Sequence, residues 1–120
     1  MVVVLNFHAE APPGRHESLD GFISQEYREI YFPAHINWRA PVWHQVQMIM
    51  KLAEERIQAL TGQDAPDYLI LPSDPGVAYL IAHYRKREKD ALLPAFVLGQ
   101  DMDGVRHFHV VGVVQEHQAL

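Results

Sequence analysis

The stretch from Asp67 to Val114 restricts the fold of this chain more than any other. An apolar run, Tyr68-Leu69-Ile70-Leu71, enters Pro72-Ser73-Asp74-Pro75-Gly76. An amphipathic segment, a second apolar run and an Asp103-Gly104 turn follow. Short apolar runs bounded by turn residues read as buried strands, and the spacing of Val77, Leu80, Ile81 and Tyr84 between them reads as one face of a helix. Asp74 is placed to cap that helix, with Pro75 at its first position, where a backbone N–H has no partner to lose. A strand–helix–strand unit within one sheet is normally parallel and right-handed. The pattern therefore predicts an α/β fold.

The rest of the chain extends this reading. Three successive valines in Val2 to His8 favour a buried first strand. Glu10 to Glu17 contains Pro12, Pro13 and Gly14 and reads as a loop. Ser18 is a candidate N-cap for a helix to Tyr31, with Leu19, Phe22, Ile23, Tyr27 and Ile30 on one face and Pro33 as its stop. After a link from Ala34 to Ala40, Pro41 opens a longer helix to Leu60. Val42, Val46, Ile49, Ala53, Ile57 and Leu60 form its apolar stripe, and Gly62 ends it. A third helix spans Pro75 to Lys89. Strands Ala95 to Asp101 and Val105 to Val114 make a C-terminal hairpin, whose two-residue turn at Asp103-Gly104 sets Asp101 opposite Arg106.

The expected order is β-α-α-β-α-β-β. It describes one small domain over residues 1–120, with a four-stranded mixed sheet and helices packed on it. An alternative turns the third strand antiparallel. Val3 to Glu10 and the proline at Pro94 resemble the thioredoxin-like core over two short stretches, but its paired cysteines are absent, so the resemblance implies no redox activity.

Composition narrows the function classes. The chain has no cysteine, which excludes thiolate metal sites and thiol nucleophiles and fits a reducing compartment. A net charge of −5 disfavours general nucleic-acid binding. The Met1 to Leu5 start is short and lacks a basic flank, and no run approaches the ~20 apolar residues a membrane helix needs. A cytoplasmic protein without membrane contact is expected.

Ligands of open α/β sheets bind beyond the carboxyl ends of the parallel strands. Those ends carry His8 and Glu10, then Ser73 and Asp74, with His107 and His109 near the same edge. These residues could serve a metal site, since His-x-His is a usable pair of ligands; no third ligand is evident, and no metal or other cofactor is assigned. They could equally serve acid–base or hydrolytic catalysis by His8 or His109 with Asp74, with Ser73 alongside, although no nucleophile elbow is present. An anion site at the helix start is weakened by Pro75 and Asp74, and no glycine-rich phosphate loop occurs. Arg85, Lys86, Arg87 and Lys89, with Tyr79 and Tyr84 interleaved, could meet an RNA or an acidic partner; cations also suit a helix C-terminus. The connection holding Tyr31, Phe32, His35, Trp38, Arg39 and Trp43 is rich in the aromatics and arginine that anchor interfaces. The first expectation is a non-catalytic interaction or regulatory module that docks a protein partner or itself as a homodimer. The alternative is a small hydrolytic or metal-dependent enzyme.

Overall fold

A computed structural model describes residues 2–9, 19, 23–89, 95–100 and 106–111. Three parallel strands form its centre: β1 (Val2–Asn6), β2 (Tyr27–Tyr31) and β3 (Tyr68–Ile70). Two helices, α1 (Val42–Thr61) and α2 (Pro75–Lys89), pack against them as a small α/β unit. The backbones of β4 (Ala95–Gln100) and β5 (Arg106–Val111) extend the sheet, which has the order β2-β1-β3-β4-β5. β4 runs parallel to β3 and β5 runs antiparallel to β4.

The main departure from the sequence reading lies at Tyr27–Tyr31. The expected helix from Ser18 to Tyr31 ends before this segment, which is a strand hydrogen-bonded beside β1. Three of the five residues in Tyr-Arg-Glu-Ile-Tyr are aromatic or β-branched, and pairing with β1 satisfies its backbone. The apolar spacing from Leu19 to Ile30 mimics a helical face although its residues join two separate core clusters. Leu19 and Ile23 pack with Val4 and Ile70, whereas Ile30 packs with Val3, Leu5 and Phe7 on the other face of the sheet. The parallel centre of the sheet thereby gains a strand where a helix was expected.

Alternation along β1 divides the two layers. Val3, Leu5 and Phe7 meet α1 through Val46, Met50, Ala53 and Ile57, and meet α2 through Val77, Ile81 and Tyr84. Val2 and Val4 face the layer of Leu19 and Ile23. With both faces covered, β1 is apolar from Val2 to Leu5, as buried parallel strands are. The stripe of α1 is rotated slightly from the expected one, so that Met50 is buried and Leu60 is exposed. Gly62 ends α1 at φ 77°, and its N–H donates to the Gln58 carbonyl. Arg28 on β2 donates to the Leu60 carbonyl at 2.9 Å, placing a cation at the negative end of the α1 dipole.

The Asp103-Gly104 turn lies outside the described residues. Gln100 pairs with Arg106, one residue out of step with the Asp101–Arg106 pairing a two-residue turn would give. No helix among the described residues is long and apolar enough to cross a membrane.

Candidate functional site

The three central strands end level with one another, because Asn6 is the register partner of both Tyr31 and Ile70. The chain passes from β1 to β2 on one side, then returns across β1 to β3 on the other. The reversal falls between β1 and β3, the switch point at which doubly wound sheets hold ligands.

Local hydrogen bonds shape this edge. The Asn6 carboxamide accepts the His8 N–H at 2.8 Å and turns the chain out of β1. Phe32 N–H donates to the Asn6 carbonyl at 2.7 Å, and Ala34 N–H donates to Phe7 at 3.2 Å. The segment after β2 therefore stays alongside β1 beyond the end of the strand. The Tyr31 hydroxyl adds a bond to the Ala9 carbonyl at 2.7 Å. Asn37 to Ala40 then make a tight turn, closed by Ala40 N–H on the Asn37 carbonyl at 3.1 Å. Gln45 of α1 grips that turn. Its Oε1 accepts the Asn37 N–H and its Nε2 donates to the Asn37 carbonyl, both at 2.8 Å. The helix start itself has Pro41 at its N-cap with no side-chain cap, so Gln45 fixes the turn in its place. The turn carries Trp38 outward, 62% exposed.

A cleft of about 120 Å³ opens at the switch point. Phe7 and Ala9 reach it from β1, Ala34, Ile36 and Trp38 from the segment after β2, and Pro72, Ser73, Asp74 and Val77 from the end of β3 and the start of α2. Asp74 caps α2, its Oδ1 accepting the Val77 N–H at 3.0 Å, and its carbonyl accepts the Ala78 N–H at 3.0 Å. This is the cap expected from sequence, with Pro75 first in the helix.

The candidate residues separate into groups. Ser73 and Asp74 line the cleft, whereas His8 is buried at 5% exposure just after β1. His107 and His109 lie on β5, as register partners of Gly99 and Val97. Three strand spacings, about 14 Å, separate the β1 and β5 backbones, so strand order does not draw His8 and this pair together. Among the described residues no group of three His, Cys, Asp or Glu is positioned to hold a metal ion.

The aromatic connection divides as well. Trp38, His35 and Arg39 are exposed. Phe32 packs against the core beneath the Arg56 guanidinium, 4.8 Å from its ring centre. Trp43 packs inward from α1, edge-on to His83 at 5.4 Å and tilted against Tyr84 at 6.4 Å.

The basic stretch also changes character. Arg85 is buried and pairs with Glu54 of α1 at 3.3 Å, and the Tyr84 hydroxyl donates to the other oxygen of Glu54 at 3.3 Å. Burial pushes the Arg85 pKa down, with Glu54 opposing the shift. Burial, reinforced by Glu54, pushes the Tyr84 hydroxyl up. One of the four cations of the expected basic surface is thus internal.

Sequence reasoning did not single out Gln45, Asn37, Asn6 or Glu54. No spacing rule joins Asn37 to a glutamine eight residues on, and the buried pair depends on how two helices meet. Comparison of the chain with protein-family profiles, curated proteins and solved structures found no match.

Proposed function

We propose that this protein is a non-catalytic recognition module whose switch-point cleft receives a side chain from an exposed segment of a protein partner. The observation that carries the reading is Trp38: a large aromatic, mostly exposed, fixed by a clamped turn at the rim of a cleft. Rigid, accessible aromatics beside a pocket are what interface anchors consist of. Size supports the same reading. Small-molecule sites commonly occupy roughly 300–1,000 Å³, and about 120 Å³ suits one inserted side chain better than a nucleotide or an organic cofactor.

A hydrolytic or metal-dependent role has less support. The Asp74 carboxylate is engaged as a helix cap, and the β5 histidines stand three strand spacings from β1. In the proposed reading the protein works in the cytoplasm, as its cysteine-free composition favours, and its last two strands close as a hairpin.

The test is selection of random displayed peptides on the full chain, with Trp38→Ala as the counter-target. Binders that depend on Trp38 are expected. Light scattering runs in parallel, and a dimer broken by Trp38→Ala would make the occupant a second copy. A monomer that yields only peptides indifferent to Trp38→Ala would sink the reading.

A further inference from the structure

We infer that the side chain received by the cleft is cationic, a lysine or arginine of the partner segment. This inference rests on the docking reading above and adds the chemistry of the occupant.

The walls and the rim call for different parts of such a residue. Phe7, Ile36 and Val77 contribute apolar lining that suits the methylene stem of a long side chain. Trp38 offers an exposed indole at the rim, and indole is the strongest of the side-chain rings at holding a cation over its face. Asp74 supplies the countercharge. Its Oδ1 is held by Val77 N–H, while Oδ2 makes no hydrogen bond among the described residues. The Ser73 hydroxyl beside it also makes none among the described residues and can accept a further N–H.

The competing occupant of a helix start is an anion, and two observations favour the cation. The α2 dipole contributes roughly half a positive charge at this end, against a full negative charge on Asp74, so the local balance remains negative. The N–H groups an anion would use are also mostly absent. Pro75 has none, those of Val77 and Ala78 go to Asp74, and of the first four helical residues only Gly76 has an N–H with no partner among the described residues. The net charge of −5 steers cations toward the protein at long range.

The experiment is an amide NMR titration of the full chain with end-blocked tripeptides. Each has a central arginine, lysine, norleucine or glutamate between glycines. The readouts are the Ser73 and Gly76 amides and the Trp38 indole N–H. Arginine and lysine peptides should shift them saturably, about fivefold more tightly than norleucine, an advantage that shrinks with added salt. Asp74→Asn retains a competent cap while removing the charge. It should weaken arginine and lysine binding about fivefold and leave norleucine unchanged. Trp38→Leu, at an exposed position, should weaken the cationic peptides more than norleucine. Norleucine binding as tightly as lysine, with no effect of Asp74→Asn, would overturn the cationic assignment while leaving the docking reading intact. Preference for glutamate would overturn the assignment likewise. If no peptide moves these signals, both fall together.

Discussion

Replacing Glu54 by leucine is expected to be among the most damaging single changes in the described structure. Arg85 has a side chain only 5% exposed, and that of Glu54 is 12% exposed. Their contact at 3.3 Å offsets desolvation of the guanidinium, and Arg85 Nε is buried without a hydrogen-bond partner among the described residues. Removing one member of a buried pair leaves an uncompensated charge, at a cost of about 3–5 kcal/mol. The Tyr84 hydroxyl loses its acceptor in the same step, adding about 1 kcal/mol. For a chain of 120 residues each kcal/mol moves Tm by about 3–5 °C, so a fall of about 12–30 °C is expected. The triple variant Glu54→Leu, Arg85→Met, Tyr84→Phe removes the charges and the hydroxyl together. Because Arg85 Nε has no hydrogen-bond partner among the described residues, this variant should come within about 1 kcal/mol of the parent or exceed it. Urea unfolding followed by far-ultraviolet circular dichroism measures all of these species. A Glu54→Leu protein within about 1 kcal/mol of the parent would mean that Arg85 reaches water and that no buried charge is stranded. A triple variant as weak as Glu54→Leu would trace the loss to packing instead of charge.

Three further outcomes follow from the same geometry. Gly62→Ala should destabilise by about 1 kcal/mol and Gly62→Asn by less; the glycine sits at φ 77° with nothing within 4 Å of an added Cβ, so the cost is backbone strain alone, and equal Tm values for the three proteins would contradict it. Asn6→Ala should cost about 1–3 kcal/mol in urea unfolding by orphaning the buried His8 N–H, and should speed amide exchange at His8; an unchanged exchange rate would show that the turn is held by other bonds. Folded Tyr84 keeps its proton to higher pH than the unfolded residue, so the native state binds more protons above about pH 10 and stability should fall as pH rises through that region. The parent should lose more stability than Tyr84→Phe between about pH 9 and pH 11, and parallel curves would refute the shift.

The legible parts of the fold were those written in local chemistry. Asp74, Pro75 and Gly62 announce helix ends because capping and left-handed backbone depend on the residues at those positions. The three valines of β1 and the run at Tyr68–Ile70 announce buried strands. The Tyr27–Tyr31 strand was hidden because Ile23, Tyr27 and Ile30 fall at helical spacing by coincidence, and only pairing with β1 separates the two readings. Strand direction put Ser73 and Asp74 together at the strand ends, where they line a cleft. The division of the aromatic connection did not. Trp38 and Trp43 are five residues apart in similar company, and what turns one outward and the other inward is a long-range amide clamp and the face that α1 presents to α2.

The clamp has a mechanical consequence. Gln45 grips the backbone of the turn that bears Trp38, while Arg28 ties the far end of the same helix to the edge strand β2. The 20 residues of α1 make a rod of about 30 Å pinned at both tips. The turn that bears Trp38 and the edge strand β2 are thereby tied to opposite ends of one helix, so a shift of α1 along its axis would strain both attachments at once.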